Sequence, residues 1–573
     1  MRFLARSILS CGVVGALVFN FAVAPPVSAA SRRPVVGARG MVVAPEREAA
    51  AAGLAVLRAG GNAVDAAVAT ALALAVTYPR AGNLGGGGFL IYRAPDGSHA
   101  ALDFRETAPQ ALTAALFVDA SGRITTARSQ SGGLSVGVPG TVAGLVEAHR
   151  RWGTRPWAEL VAAGIRLAEE GVVVSERTAE TLSAETVRLA ADAAAAPIFT
   201  RNGAPLVEGD RLVQKDLAKT LRAIAAQGAS GFYSGPVAAA IVKGVSAAGG
   251  VMTLADLAHY RAVSRTPLVG SYRGKTIVSF PPPSSGGIVL LQALAMLERF
   301  DLAASGAGAA LTLHRIAEAE RRAFADRAVY LGDPDVVDVP VGALLDPAYL
   351  AARGATITDD RATPSSTLLP GALPKREGMN TLHFSVADGR GGAVALSTTL
   401  NSWYGAALVA PGTGVLLNNE IDDFSLGKGI ANQFGLVGGD ANAVAGGKRP
   451  LSSMCPTIVE SNPSGPRPLL VLGAPGGPTI ISSVLQTILH VEDDGMTLQE
   501  AVDAPRIHHQ WLPDEILHER RAFTPEVAAG LRLRGHTLTE RGPIGNVCAI
   551  GVDAKGRYTG APDPRDEAVA LGY

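Results

Sequence analysis

The sequence predicts an α+β protein. Two β-hairpins, a helix apolar on every side and a long succession of further helical runs point to it. In the first hairpin, residues 382–387 and 393–400 are mostly apolar or β-branched. Between them, Asp388-Gly389-Arg390-Gly391-Gly392 supplies residues that tolerate positive φ. In the second, 89–93 and 99–104 flank Asp96-Gly97, another turn pair. The all-apolar helix is Ala63–Thr77, which Asn62 can cap and which should be buried.

Composition narrows the class of protein. The chain has 573 residues, 47% of them hydrophobic, enough for a large core. Lys+Arg and Asp+Glu both number 51, a balance that argues against a footprint for nucleic acid or an anionic membrane surface. The 67 glycines and 5% aromatics favour tight loops and small-residue packing. The N-terminus reads as a secretory signal, residues 1–29. Arg2 and Arg6 precede an apolar stretch over 8–24, and Val27-Ser28-Ala29 offers a small-x-small cleavage site. The mature chain is then expected in the periplasm or outside the cell, with no stable membrane anchor. It keeps two cysteines, Cys455 and Cys548, which is no disulfide scaffold. No His/Cys cluster has ligand spacing, so neither a metal nor another cofactor is expected.

In chain order, helical spacing over 45–58 stops at Gly60-Gly61, a C-terminal cap. The run Gly85-Gly86-Gly87-Gly88 lacks both the phosphate-loop and the dinucleotide spacing, and reads as close backbone approach in a packed turn. Helices follow at Thr141–Trp152, Trp157–Glu170, 175–193, 214–227, 234–248 and 288–298, the last started by Pro281-Pro282-Pro283-Ser284-Ser285-Gly286-Gly287. A helix over 311–331 carries Arg315, Glu318, Glu320, Arg321, Arg322, Asp326 and Arg327, and reads as a solvated face with i,i+4 pairing. An apolar strand over 469–472 runs into Gly473-Ala474-Pro475-Gly476-Gly477-Pro478, then a helix over 480–490. Residues 545–552 read as a closing strand.

Four places carry candidate chemistry. Thr381 opens the first hairpin directly after a loop-rich stretch. If the chain were cut before it, its hydroxyl would be a nucleophile and its freed α-amine the base; otherwise it is one more β-branched strand residue. Arg105, at a strand end, suits a bidentate carboxylate clamp or an ion pair with Glu106 or another acid. Gly476 and Gly477, between strand and helix, suit an oxyanion hole or a plain turn. Gly133-Leu134-Ser135-Val136-Gly137 matches the nucleophile elbow of serine hydrolases, but the preceding residues 125–132 are polar and make a poor buried strand.

Taken together, Gly60-Gly61-Asn62-Ala63-Val64-Asp65-Ala66-Ala67, the four glycines from Gly85, Asp103-Phe104-Arg105-Glu106, Asn380-Thr381, the stretch 418–424, the stretch 448–457 and the stretch 473–477 resemble the γ-glutamyltransferases. The resemblance runs from about residue 37 to Tyr573. It implies an N-terminal-nucleophile hydrolase with a four-layer αββα sandwich. It also implies an exported precursor that cuts itself between Asn380 and Thr381. The large subunit, 30–380, and the small catalytic one, 381–573, would stay together as a heterodimer. The implied activity is cleavage of γ-glutamyl amides such as glutathione, with transfer of the acyl group to water or to an amino acid or peptide. Within the same fold a cephalosporin-type acylase is the near alternative, and an unprocessed, inactive binding protein is a further one.

The resemblance also implies roles for residues. Thr381 is the nucleophile and Thr399 its hydrogen-bond partner. Arg105 clamps the substrate α-carboxylate with Ser452 and Ser453. Asn401, Glu420 and Asp423 hold the α-ammonium and α-carboxylate ends. Gly476 and Gly477 form the oxyanion hole. Two residues depart from the family pattern. Glu420 stands where many relatives have Gln, which should favour the ammonium. Phe434 stands in the lid segment where many have Tyr, which removes a hydroxyl that could bond Asn401 and leaves closure of the lid open.

Overall fold

The computed structural model describes residues 32–368, 381–427, 429–461, 465 and 467–573. The proposed signal segment and Asn380 lie outside the described residues. Two seven-stranded antiparallel sheets form the centre of the molecule. The first runs Val569–Gly572, Gly40–Ala44, Leu382–Asp388, Ala393–Thr399, Gly87–Arg93, His99–Phe104 and Val263–Arg265. The second runs Val35–Gly37, Tyr558–Pro562, Cys548–Val552, Leu470–Leu472, Thr457–Glu460, Lys275–Ser279 and Leu268–Tyr272. Strands from before and after position 381 pair with one another in both sheets.

The two-residue period of the strands builds the layers. On the first sheet, Val42, Leu90, Leu382, Phe384, Val386 and Leu396 pack into one core with the helices Arg47–Arg58, Ala63–Thr77, Thr141–Trp152, Trp157–Glu170 and Lys215–Gln227. Their neighbours Met41, Val43, Phe89, Ile91, Ala387 and Ala395 point the other way, into a second core. That core continues through the second sheet to Gly286–Leu297, Ala310–Tyr330 and Thr479–Glu492. Phe89 meets Phe280 across the inter-sheet layer, ring centroids 4.3 Å apart. The order is helices, sheet, sheet, helices: the four-layer sandwich that the resemblance implies.

Both expected hairpins form, at Leu382–Asp388 with Ala393–Thr399 and at Gly87–Arg93 with His99–Phe104. The Asp388 carboxylate organises the first turn. It accepts from the Arg390 and Gly392 amides and, through its other oxygen, from the Ala63 amide. It thereby ties the hairpin to the start of the buried helix, whose Asn62–Asp65 capping box also forms. Every residue of Ala63–Thr77 is buried. The glycine run behaves as expected: a Cβ on Gly86 would stand 1.9 Å from the Thr399 carbonyl oxygen.

Three expectations are corrected or closed. The helix Ala310–Tyr330 is not solvated, because its charged residues from Arg315 to Arg327 are buried between Gly286–Leu297 and the C-terminal segments. Their charges are matched locally, as the spacing suggested: Glu318 takes Arg321 at 2.9 Å and Arg322 at 2.6 Å. Cys455 and Cys548 are both free and buried. Ser135 lies buried in the 3₁₀ turn Gly133–Ser135 with its hydroxyl donating to the Gly132 carbonyl, which is not the geometry of a nucleophile elbow.

Candidate active site

Thr381 immediately precedes the strand Leu382–Asp388, and the strand period aims it between the sheets, with His383 and Ser385. The register Leu382↔Thr398 sets Thr399 beside it. The Thr381 hydroxyl donates to Thr399 Oγ1 at 3.5 Å, and Thr399 Oγ1 also accepts the Asn401 amide at 2.8 Å. Asn401 has φ of +72°, which turns the chain at the strand end, and its side-chain amide donates to the Asn419 carbonyl.

Thr381 and Thr399 share a small cleft with Arg105, Asn401, Glu420, Asp423, Phe434, Ser452, Ser453 and Gly477. Arg105 makes the contacts of the ion-pair reading. Its buried guanidinium pairs with Glu420 and Asp423, stands 3.6 Å from Glu106, and donates from Nε to the Pro450 carbonyl at 3.2 Å. Burial pushes all three carboxyls upward against the pull of Arg105: Glu106 to about 7, Glu420 well above its ordinary value, Asp423 upward. One Glu420 oxygen and both Glu106 oxygens are buried without a hydrogen-bond partner. An ion pair this crowded with acid attracts a further cation.

The two serines are preset as donors. Ser452 Oγ accepts the Met454 amide at 3.1 Å. Ser453 Oγ accepts from Arg327 Nη2 at 3.3 Å. Each oxygen is held by an incoming N–H, so its own proton is left for a ligand. Gly477 lines the same cleft and Gly476 precedes it; their φ values are +57° and +134°, which suit glycine. The Gly476 carbonyl accepts from the Thr479 amide and hydroxyl at the start of the helix Thr479–Glu492. Among the described residues neither glycine amide donates a hydrogen bond. Two unpaired amides at a helix N-terminus suit a developing negative charge.

The segment over the cleft is seated without a tyrosine hydroxyl. Asn432 donates to Asp423 at 3.1 Å, the Gln433 amide to Asp422 at 2.9 Å, Ser402 to Gln433 at 2.8 Å, and Gln510 to the Phe434 carbonyl at 3.3 Å. The Phe434 ring rests on Gly477, where an added Cβ would meet it at 3.0 Å. Closure rests on apolar contact at this point and on polar anchors around it.

The chain is recognisable among known proteins. The model of the gamma-glutamyltranspeptidase family matches residues 49–573. The chain belongs to the gamma-glutamyltranspeptidase family. It is 44% identical over 558 residues to a glutathione hydrolase proenzyme of Pseudomonas sp. (strain A14), covering 96% of each chain. It is also 44% identical over 579 residues to that of Escherichia coli (strain K12), covering 99% of each. A crystal structure of cephalosporin acylase from Bacillus halodurans superposes with a TM-score of 0.84 at 28% identity, covering 97% of this chain and 99% of that one. Helicobacter pylori gamma-glutamyltranspeptidase superposes with a TM-score of 0.56 at 46% identity, over 57% of this chain and 94% of that one.

Sequence reasoning missed residues in the layer behind those that touch the cleft. His383 lies between the sheets with Ser397 Oγ at 2.9 Å and Ser385 Oγ at 3.1 Å, and burial alone holds its ring neutral, down to about 3. Gly473 leaves room for that ring, since a Cβ there would stand 2.4 Å from His383 Nδ1. Arg327 belongs to the helix whose charges the sequence presents as a solvated face. Its spacing from Leu313, Ile316 and Phe324 places it on the core-facing stripe of its helix, and that signal was available.

Proposed function

We propose that this chain is a γ-glutamyltransferase and glutathione hydrolase that matures by cutting itself before Thr381. One observation carries the reading: the Thr381–Thr399 hydroxyl pair opens into the same cleft as Arg105, Glu420, Asp423, Ser452 and Ser453. A nucleophile thus faces groups of both signs suited to an amino-acid head group. In the precursor, the Thr381 hydroxyl attacks the Asn380 carbonyl carbon, and the C–N bond breaks to give an ester and a free α-amine. Water then hydrolyses the ester. The pieces 30–380 and 381–573 remain one body, because Leu382–Asp388 pairs with Gly40–Ala44 and Ala393–Thr399 with Gly87–Arg93. Export through a cleaved signal over 1–29, to the periplasm or beyond, belongs to the same proposal.

In the mature enzyme the α-amine of Thr381, with a pKa of about 7.7–8.0 in reference peptides, serves as base near neutral pH. It takes the hydroxyl proton while Oγ1 attacks the γ-carbonyl of the donor. The Gly476 and Gly477 amides receive the oxyanion, an effect worth about 3–4 kcal/mol for a donor of this kind. The proton passes to the leaving amine as the C–N bond breaks. Water or an acceptor amine then attacks the γ-glutamyl ester and restores Thr381. Arg105 with Ser452 and Ser453 holds the α-carboxylate; Glu420, Asp423 and Asn401 hold the α-ammonium side. Thr381→Ala is expected to give one uncut chain without activity by intact mass and a γ-glutamyl anilide assay; two subunits from that variant would refute the assignment of the nucleophile.

The likeness to a cephalosporin acylase keeps a second reading open. An acyl group without an α-ammonium would leave the unpartnered Glu420 oxygen unused. Equal turnover of glutaryl and γ-glutamyl anilides would favour that reading.

A further inference from the structure

The cleft has a charge problem that the residues named so far do not solve. Among the described residues the cation that lines it is Arg105, already paired with Glu420 and Asp423 and approached by Glu106. The substrate's ammonium answers the acids on the Glu420 side, but its α-carboxylate must be held by an arginine that those acids already claim. Arg327 supplies the missing positive charge. It is buried on Ala310–Tyr330, and among the described residues its guanidinium meets hydroxyls and no carboxylate partner. Nε donates to Ser285 Oγ at 2.9 Å and Nη2 to Ser453 Oγ at 3.3 Å. Ser285 in turn donates to the Ser452 carbonyl at 2.6 Å. The turn Pro281–Gly287, unexplained by the catalytic residues, is therefore the mount that joins Arg327 to both serines. It is held there by Ser284, whose hydroxyl donates to the Met454 carbonyl at 2.5 Å. The nearest opposing charge is Asp423, which acts on Arg327 through space without pairing with it and is itself bound to Arg105; a buried guanidinium held only by hydroxyls is costly to maintain and suits an anion that arrives from outside.

We propose that Arg327 is a positioning residue for the donor substrate: by donating to the Ser453 oxygen it aims that hydroxyl proton at the α-carboxylate, and its charge offsets the carboxylate's own. The proposal rests on the γ-glutamyl reading above. Arg327 stays behind the serines and acts through Ser453.

The test compares γ-glutamyl p-nitroanilide with 4-aminobutanoyl p-nitroanilide, which lacks only the α-carboxylate. The native enzyme comes first: equal kcat/KM on both would sink the γ-glutamyl reading itself, before Arg327 is touched. With a native preference established, Arg327→Met should lower it by about tenfold or more, the scale of a hydrogen bond to a charged group. The loss should fall on KM for the γ-glutamyl substrate. Its kcat and the turnover of the 4-aminobutanoyl substrate should stay near native. A preference within about twofold of native, or an equal loss on both substrates, overturns the proposal. If Arg327→Met yields no processed enzyme, Arg327→Lys decides. Lysine keeps the charge but not the planar two-point hold, so the preference should fall by about threefold. A native preference in that variant, or failure of both variants to process, assigns Arg327 to folding and overturns the proposal.

Discussion

Glu420→Gln isolates the feature in which this chain departs from many relatives. One Glu420 oxygen accepts from Arg105 and the other is buried without a partner. Glutamine keeps an oxygen for Arg105 and replaces the vacant acceptor, or its charge, with an amide. A hydrogen bond to a charged group contributes about 1.5–3 kcal/mol, so losing the ammonium contact should raise KM for a γ-glutamyl anilide by about 10- to 150-fold. The cost lies in ground-state and transition-state binding alike, so kcat should remain within about threefold. Folding and self-cleavage should survive, because the substitution removes a buried charge whose ionised form burial already opposes. The pH profile supplies a second signature. Glu420 must be ionised to hold the ammonium, and burial raises its value, so native KM should fall as pH rises above the ordinary carboxyl range. That slope should flatten in the variant. Steady-state kinetics on the two proteins between pH 6 and 8.5 measure both effects. An unchanged or lower KM in the glutamine variant would show that the carboxylate does not meet the ammonium.

Other outcomes follow from the packing. Gly473→Ala places a Cβ 2.4 Å from His383 Nδ1 in the inter-sheet layer, and this overpacking should cost about 1–3 kcal/mol, seen as a lower midpoint in thermal scanning with both subunits still formed. Phe434→Ala removes the ring that covers Gly477 and should raise the share of hydrolysis over transfer to a dipeptide acceptor, measured by product analysis. Acid should destabilise the native protein through its buried imidazoles. Burial holds His383, His508 and His536 down to about 3 and His509 to about 4, against 6.5 when unfolded. The unfolded chain therefore binds more protons between about pH 3 and 6.5, so stability falls as pH falls through that window. Chemical unfolding midpoints that stay level from pH 6.5 to 4.5 would refute this.

The line between what the sequence discloses and what it conceals follows sequence distance. The period of two in 382–388 says that Thr381, His383 and Ser385 share a face, and the turn Asp388–Gly392 brings Thr399 beside Thr381. Those are local facts, and the hairpin obeys them. The buried helix Ala63–Thr77 is equally legible, because a stretch without a polar face has only one place to go. What no local pattern states is which strands lie between which. Gly40–Ala44 and Gly87–Arg93 flank the hairpin from hundreds of residues away, and the pairing of the second sheet was invisible for the same reason. The charged helix shows the failure most plainly. Its spacing discloses the i,i+4 pairs but not their surroundings, because a pair such as Glu318–Arg322 satisfies itself in water or in a core. Arg327 is the residue for which that distinction matters. It lacks an acid at i±3 or i±4, since the neighbours there are Ala323, Phe324, Tyr330 and Leu331. An unpaired arginine on the apolar stripe of a helix that the fold buries must find its partners elsewhere. Here they are the hydroxyls of Ser285 and Ser453, which link the helical layer to the residues lining the cleft.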